Sequence, residues 1–272
     1  MVTAAAASWG TWSLFLRPTH LPSTVTSAII LLVMGLVTLP FALRGPPMVW
    51  DRTTLGLLAA NAVFDASNIV MYFGAIAHTT IAIAVLTHYL APILIALAAP
   101  RIDGIVTRGT GPAAAVALGG LVIILEPWRT PADGAVLGAA LGVASAVCYA
   151  GNVFTVRRLA ARIGVTRSIT YHALPTAVVM APLVAGYLDQ LTPAKLGLLA
   201  AGATTIGALS GAVFAIGLLR IGSARAAVLT FIEPIVAVAI GAVVWDEPLH
   251  PIALLGGVLV LGAGFQVGRK AR

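Results

Sequence analysis

The chain has 272 residues, of which 60% are apolar and only 9% charged, with 16 Lys or Arg against 9 Asp or Glu. Soluble globular chains carry about 25% charged residues, and this chain lacks the polar side chains that a water-facing surface needs. With a mean hydropathy of +1.02 it reads as an all-α polytopic membrane protein, which excludes a soluble enzyme, a nucleic-acid binder and a disulfide scaffold.

A helix needs roughly 20 apolar residues to cross a bilayer core. Charges and Pro/Gly clusters divide the chain into ten predicted spans, near 2–16, 22–43, 54–76, 80–99, 111–125, 134–156, 168–187, 195–218, 224–244 and 250–267. The first is short: it either thins the bilayer or lacks an N-terminal turn. It has no basic n-region and runs straight into further spans, so it does not read as a secretory signal. Trp9 and Trp12 lie one turn apart on it. Facing a cavity, they would stack on an aromatic ligand or cage a cation; facing outward, they would join an interfacial belt.

In span three, Asn61, Asp65, Asn68 and Tyr72 follow i, i+4, i+7 and i+11, which puts all four on one helical face. That stripe reads as the polar wall of a cavity, or as interhelical hydrogen bonding. His78 occupies the turn into span four, where His88 and Tyr89 lie deep and Pro92 predicts a kink. Span six carries Tyr149 and Asn152, with Cys148 as a small core residue. Tyr171 and His172 fall in the first turn of span seven, an interfacial position. In span eight, Gly207, Gly211 and Ala215 form a small-residue face beside Ser210 and read as a packing motif. Span nine holds Thr230, Glu233 and a second kink at Pro234. Asp65 and Glu233 are the two carboxylates deep inside spans. A charge at that depth costs roughly 2.5 kcal/mol or more and faces a bundle interior or a wet cavity. Asp246 and Glu247 read as a solvated pair in the loop before the last span.

Alternating the loops between faces puts thirteen positive charges on one side (Arg44, Arg52, Arg101, Arg108, Arg157, Arg158, Arg162, Arg167, Arg220, Arg225, Arg269, Lys270 and Arg272) and Arg17, Arg129 and Lys195 on the other. By the positive-inside rule both termini are cytoplasmic. The halves also repeat. LTHYLAPILIALAA (86–99) matches LTFIEPIVAVAIGA (229–242), with Pro92 and Pro234 offset by 142; WGTWSLFLR (9–17) matches YAGNVFTVR (149–157), offset by 140. Trp9 and Trp12 thereby pair with Tyr149 and Asn152. The repeats are predicted as 1–130 and 131–272. Each holds five spans, an odd number, so the second enters the membrane inverted. Inverted repeats mark secondary transporters with a midplane site between the halves. By the same offset the second copy has about seven more residues ahead of Tyr149 than the first has ahead of Trp9, which favours the lost-turn account of the short first span.

These residues carry a resemblance. AAVLTFIEPIVAVAIGAVVWDEPLHPIALLGGVLVLGAGF (226–265) resembles the end of an EamA domain of the drug/metabolite transporter superfamily, with Glu233-Pro234, Glu247 and a glycine-spaced last span, and IAHTTIAIAVLTHYLAPILIALAAP (76–100) resembles the equivalent part of the first domain. The resemblance covers essentially the whole chain. It implies a ten-helix basket around a central cavity, with spans five and ten peripheral, moving small metabolites across a bacterial inner membrane. The stretch from His78 through Tyr89 to Pro92 is similar to YddG-type exporters of aromatic and other amino acids; it departs from them at His88, usually asparagine, and at Ala91, usually a large aromatic.

The expectation is therefore an exporter of amino acids or similar small metabolites working by alternating access, with a proton-coupled exporter of cationic compounds as the alternative. The predicted substrate-binding residues are Trp9, Trp12, Asp65, Asn68, Tyr72, His78, His88, Tyr89, Tyr149, Asn152, Ser210, Thr230 and Glu233, with Pro92 and Pro234 as kinks. No P-loop, metal-ligand cluster or catalytic triad is evident, so no cofactor, metal or enzymatic activity is expected. The expected partners are a small-molecule substrate and the lipid bilayer, in a monomer or weak homodimer.

Overall fold

The computed structural model describes residues 1–44, 48, 50–104, 107–129, 135–248 and 250–269. Among the described residues all regular elements are helical: α1 (Val2–Trp9), α2 (Ser13–Leu16), α3 (Ser23–Leu43), α4 (Arg52–His78), α5 (Ile81–His88), α6 (Ala91–Ile102), α7 (Thr110–Leu125), α8 (Ala135–Ile163), α9 (Val165–Met180), α10 (Pro193–Gly202), α11 (Ser210–Ile221), α12 (Ser223–Leu229), α13 (Ile232–Val244) and α14 (Ile252–Arg269). A π-helical stretch, Ala203–Leu209, joins α10 to α11.

Eight stretches among the described residues are long and apolar enough to cross a membrane: Ser23–Leu43, Arg52–His78, Ile81–Ile102, Thr110–Arg129, Val136–Ile163, Pro193–Ile221, Ser223–Val244 and Ile252–Arg269. The chain is a multi-span membrane protein, and its burial pattern fits a lipid solvent. Large apolar side chains such as Val136 (87% exposed) and Val243 (80%) face outward, whereas Asn61 and Ser145 are fully buried. Backbone polar groups have no water to bond in the hydrocarbon, so spans satisfy them internally as helices.

Two predicted spans differ from expectation. The first is not one helix. The Ser8 and Thr11 hydroxyls bond the Ala5 and Ser8 carbonyls, competing with the helical ladder, and the chain turns between α1 and α2. There it lies so close to α13 that a Cβ on Gly10 would sit 2.5 Å from the Glu233 carbonyl oxygen. The seventh starts three residues earlier than predicted, at Val165, after Gly164 (φ +87°), and passes at Met180 into 3-10 turns over Ala181–Leu183 and Ala185–Gln190. In addition, α8 runs to Ile163, so Arg157, Arg158 and Arg162 stand on a helix rather than in a loop. Lys270, Arg272 and the predicted boundary at 130/131 lie outside the described residues.

Both predicted kinks are present as breaks. One separates α5 from α6 at Tyr89-Leu90, and the other separates α12 from α13 at Thr230-Phe231. Proline lacks the N–H and its ring clashes with the preceding turn. The chain around each break uses i→i+3 bonds instead, from Leu90 to Thr87 and from Glu233 to Thr230.

Small residues set the packing. At the α7–α14 crossing, a Cβ on Gly120 would lie 2.6 Å from the Gly256 carbonyl oxygen, and a Cβ on Gly256 would strike that of Gly120. Such backbone approaches hold membrane helices together by close van der Waals contact. Gly256→Val is expected to cost about 1–3 kcal/mol by overpacking and to lower the thermal midpoint of the purified protein. Gly257→Val, where a Cβ meets nothing within 4 Å, is expected to leave it unchanged.

Ion pairs close the helix ends. Asp51 caps α4 by accepting from the Thr54 N–H at 2.8 Å and pairs with Arg162. The Thr54 bond, and then the Arg162 charge, holds the Asp51 carboxyl below the usual carboxylate range. Asp103 meets Arg157 at 3.1 Å and accepts from the Ser223 N–H at 3.2 Å. Glu126 pairs with Arg129. Glu247 pairs with Arg17, whose guanidinium also lies 5.3 Å from the Trp245 ring; it is a bridging residue, not the merely solvated one expected.

Candidate functional site

A cavity of about 460 Å³ opens between the helices, within the roughly 300–1,000 Å³ of ligand pockets. Its polar wall comes from α4. The 3.6-residue period turns Asp65, Asn68 and Tyr72 into the cavity, while Asn61, one turn earlier, is fully buried behind it. Packed against α4, α8 contributes Tyr149 and Asn152, and α9 contributes Ser168 and His172. One proline break brings in His88, Tyr89 and Pro92, and the other brings in Thr230 and Glu233 beside them. Trp9 and Trp12, at the break between α1 and α2, complete the aromatic wall, with Trp9 tilted against Phe214 at 4.8 Å between centroids.

Two hydrogen-bonded relays set the site. In the first, the Asn61 amide donates to Thr155 Oγ1 at 2.8 Å, and Thr155 in turn donates to the Asn152 carbonyl. Asn61 Oδ1 therefore faces His172 Nδ1, 2.7 Å away. His172 Nε2 lies 3.4 Å from Asp65 Oδ2, and Asp65 Oδ1 accepts from the Asn152 amide at 2.8 Å. In the second, Ser145 Oγ donates to Asn68 Oδ1 and contacts His88 Nδ1, each at 2.8 Å. His88 lies among rings, 4.7 Å from Tyr72, 5.3 Å from Tyr149 and 5.6 Å from Tyr89. The Glu233 carboxyl lies beside the Tyr89 hydroxyl.

Of the thirteen predicted residues, eleven line this cavity; His78 and Ser210 do not. His78 is exposed at the end of α4. Ser210 accepts from Ser8 at 2.7 Å and bonds the Thr205 carbonyl through the π-helical turn. The small-residue face of span eight is in part a packing seam, since a Cβ on Gly207 would lie 3.1 Å from Met34 and Ala215 is 1% exposed. Gly207, Gly211 and Ala215 all line the cavity, and a Cβ on Gly211 would meet nothing within 4 Å. The tryptophans line the cavity rather than an outer belt, whereas Tyr171 packs on the exposed Trp50.

His172 is the principal residue that sequence reasoning missed. A span that starts at 168 makes His172 interfacial. The glycine at 164, a break signal, places the helix start earlier and His172 two turns inside α9. Ser168, one turn before it, is 1% exposed and its hydroxyl has no hydrogen-bond partner. Lysine and arginine are absent from the cavity lining, and among the described residues no cluster of three or more His, Cys, Asp or Glu is placed to hold a metal ion.

Residues 136–267 match the EamA-like transporter family. An "Uncharacterized transporter" of Archaeoglobus fulgidus is 29% identical over 267 residues, spanning 96% of this chain and 92% of its own length. The "Pseudopaline exporter CntI" of Pseudomonas aeruginosa is 28% identical over 260 residues, spanning 92% of this chain and 84% of its own. A solved crystal structure shares the fold with a TM-score of 0.82 at 20% identity, covering 100% of this chain and 97% of that one.

Proposed function

The chain is a membrane transporter of the EamA-like family, and from that premise we propose that it exports amino acids or similar amine-bearing metabolites, aromatic ones included, by alternating access through the central cavity. The observation that carries this is the chemistry of the lining. Two carboxylates, Asp65 and Glu233, stand among aromatic rings with no lysine or arginine. Such a wall attracts an ammonium group by charge and by ring quadrupoles, and disfavours phosphorylated substrates. The substrate carboxylate is received by the amide of Asn152 and the unpartnered hydroxyl of Ser168. The "exporter" in the Pseudomonas relative's name supports the outward direction.

Alternating access rests on ten crossings in two inverted repeats, 1–130 and 131–272, with both termini on the cytoplasmic face of a bacterial inner membrane. The ion pairs support this arrangement. Arg17 and Arg157 are repeat mates at an offset of 140, and Asp103 and Glu247 at 144. Each arginine pairs with the acid of the other half, Arg17 with Glu247 and Arg157 with Asp103. The charge count puts Arg17 and Arg157 on opposite faces.

The test is flux in proteoliposomes of labelled phenylalanine, methionine and ethidium, with and without a pH gradient. Saturable phenylalanine or methionine flux is expected, reduced at least about tenfold in Glu233→Gln through loss of a charge-assisted contact. Ethidium flux that needs the gradient and vanishes in Asp65→Asn, with no amino-acid flux, overturns the reading in favour of a cationic-compound exporter.

A further inference from the structure

The donors in the first relay have only one consistent direction. The Thr155 hydroxyl is spent on backbone carbonyls of its own helix, at 2.9 Å to Asn152 and 3.0 Å to Gly151, so it accepts from the Asn61 amide. Asn61 Oδ1 is then an acceptor and His172 Nδ1 its donor. The remaining ring nitrogen, Nε2, faces Asp65 Oδ2 at 3.4 Å. With both groups unprotonated, a lone pair would face a carboxylate oxygen that is buried and has no hydrogen-bond donor, a costly arrangement in a low-dielectric interior. A proton on either atom turns the repulsion into attraction.

We propose that Asp65 and His172 form a proton-binding site, holding one exchangeable proton between Oδ2 and Nε2, and that this proton is the ion exchanged against the substrate. The second half of this statement rests on the transporter reading above. The proton and the substrate ammonium compete for the same carboxylate. Arrival of the ammonium releases the proton to water, and its departure lets a proton return from the other side. The charge carried by Asp65 is balanced at each stage, which removes the cost of moving an uncompensated charge through the bilayer.

The surroundings suit one shared proton. Tyr149 on α8 stands near both Asp65 and Glu233, and Tyr72, His88 and Tyr89 line the same cavity. Helix α3, packed against α9, carries no titratable side chain. The arginines of α8 and α9 are engaged elsewhere: Arg157 with Asp103, Arg158 with the Ile102 carbonyl, Arg162 with Asp51 and Arg167 with the Ala42 carbonyl. Cys148 lies outside the cavity lining. Among the described residues lining the cavity no lysine or arginine faces Asp65, and the proton at His172 takes that part.

Imidazole-nitrogen NMR of the full chain in lipid nanodiscs, over roughly pH 5 to 8 where imidazoles titrate, tests the site without any substrate. His172→Gln identifies the signal; if that variant fails to fold, replacing His20, His78, His88 and His250 in turn leaves His172 by subtraction, since the chain has five histidines. The expected result is a His172 ring with Nδ1 protonated at every pH, whose Nε2 proton step changes position in Asp65→Asn because the two groups titrate as a pair. A bare Nδ1, or a step that Asp65→Asn leaves in place, overturns the shared site. Flux then tests the exchange. In Asp65→Asn and His172→Gln the ratio of phenylalanine exchange with an opposing proton gradient to exchange without it is expected to fall to about one, whatever the residual rate. Full acceleration in either variant overturns the coupling. The predicted NMR behaviour with no amino-acid flux would leave the proton site standing and remove only the substrate assignment.

Discussion

Gly211→Trp is expected to abolish transport while leaving the protein folded. Gly211 lines the cavity, and a Cβ built on it meets no atom within 4 Å. An indole placed there projects into a cavity of about 460 Å³ and occupies the space in which the substrate is held. The fold has no reason to object, so thermal stability should stay within about 0.5 kcal/mol of the parent, while flux of labelled phenylalanine falls by about 10²-fold or more, because even a small misplacement of a bound substrate costs that much. Gly202 on α10 provides the contrast. A Cβ there would lie 2.9 Å from the Phe15 ring, so Gly202→Trp should destabilise the protein as overpacked sites do, by about 1–3 kcal/mol. Normal phenylalanine flux through a folded Gly211→Trp protein would remove the cavity from the transport path.

The second large effect is expected at Asp103 and Arg157. The Asp103 side chain is 1% exposed and that of Arg157 19%, whereas Arg17 and Glu247 are 49% and 48% exposed. Removing one partner of a buried pair leaves an uncompensated charge and costs roughly 3–5 kcal/mol; an exposed pair is worth about 0–1 kcal/mol. Arg157→Ala should therefore lower the thermal midpoint far more than Arg17→Ala, although the two arginines are repeat mates. Asp103 also accepts from the Ser223 N–H, so Asp103→Ala breaks the tie between the end of α6 and the start of α12 as well. The charge-exchanged double variant Asp103→Arg with Arg157→Asp should recover part of the loss. A double-mutant cycle with no coupling between the two positions would show that the 3.1 Å contact does not hold these helix ends together. If the two faces open in turn, weakening the Asp103 pair alone shifts the balance between them, and maleimide labelling of a cysteine placed in the cavity in a Cys148→Ser background should rise from one side only.

Much of the site was legible before any tertiary structure because helical period is a local property. Asp65, Asn68 and Tyr72 share a face whatever that face meets, and all three line the cavity. The prolines at 92 and 234 were equally readable, since the loss of an N–H and a ring clash break a helix in any context. The packing role of the Gly207–Gly211–Ala215 face was readable, but not the open space in front of Gly211. A small-residue stripe serves a tight helix contact or an open cavity wall, and only the presence or absence of an opposing helix decides between them. The resemblance put His78 in the site and its place beside the small-residue face put Ser210 there, whereas the structure has one at an exposed helix end and the other in a bond with Ser8.

Composition by itself determined the solvent. With 9% charged residues and a mean hydropathy of +1.02, the chain has lipid outside and polar groups inside, and hydropathy located most of its apolar helices. Tertiary structure alone decided the partners. Asp65 finds His172, Asn61 finds Thr155, and Glu247 finds Arg17 across 107, 94 and 230 residues of chain. Period and propensity act over one or two turns of backbone. The pairing of charges and hydrogen bonds in a membrane interior is set by which helix faces come together, and no short-range rule carries that information.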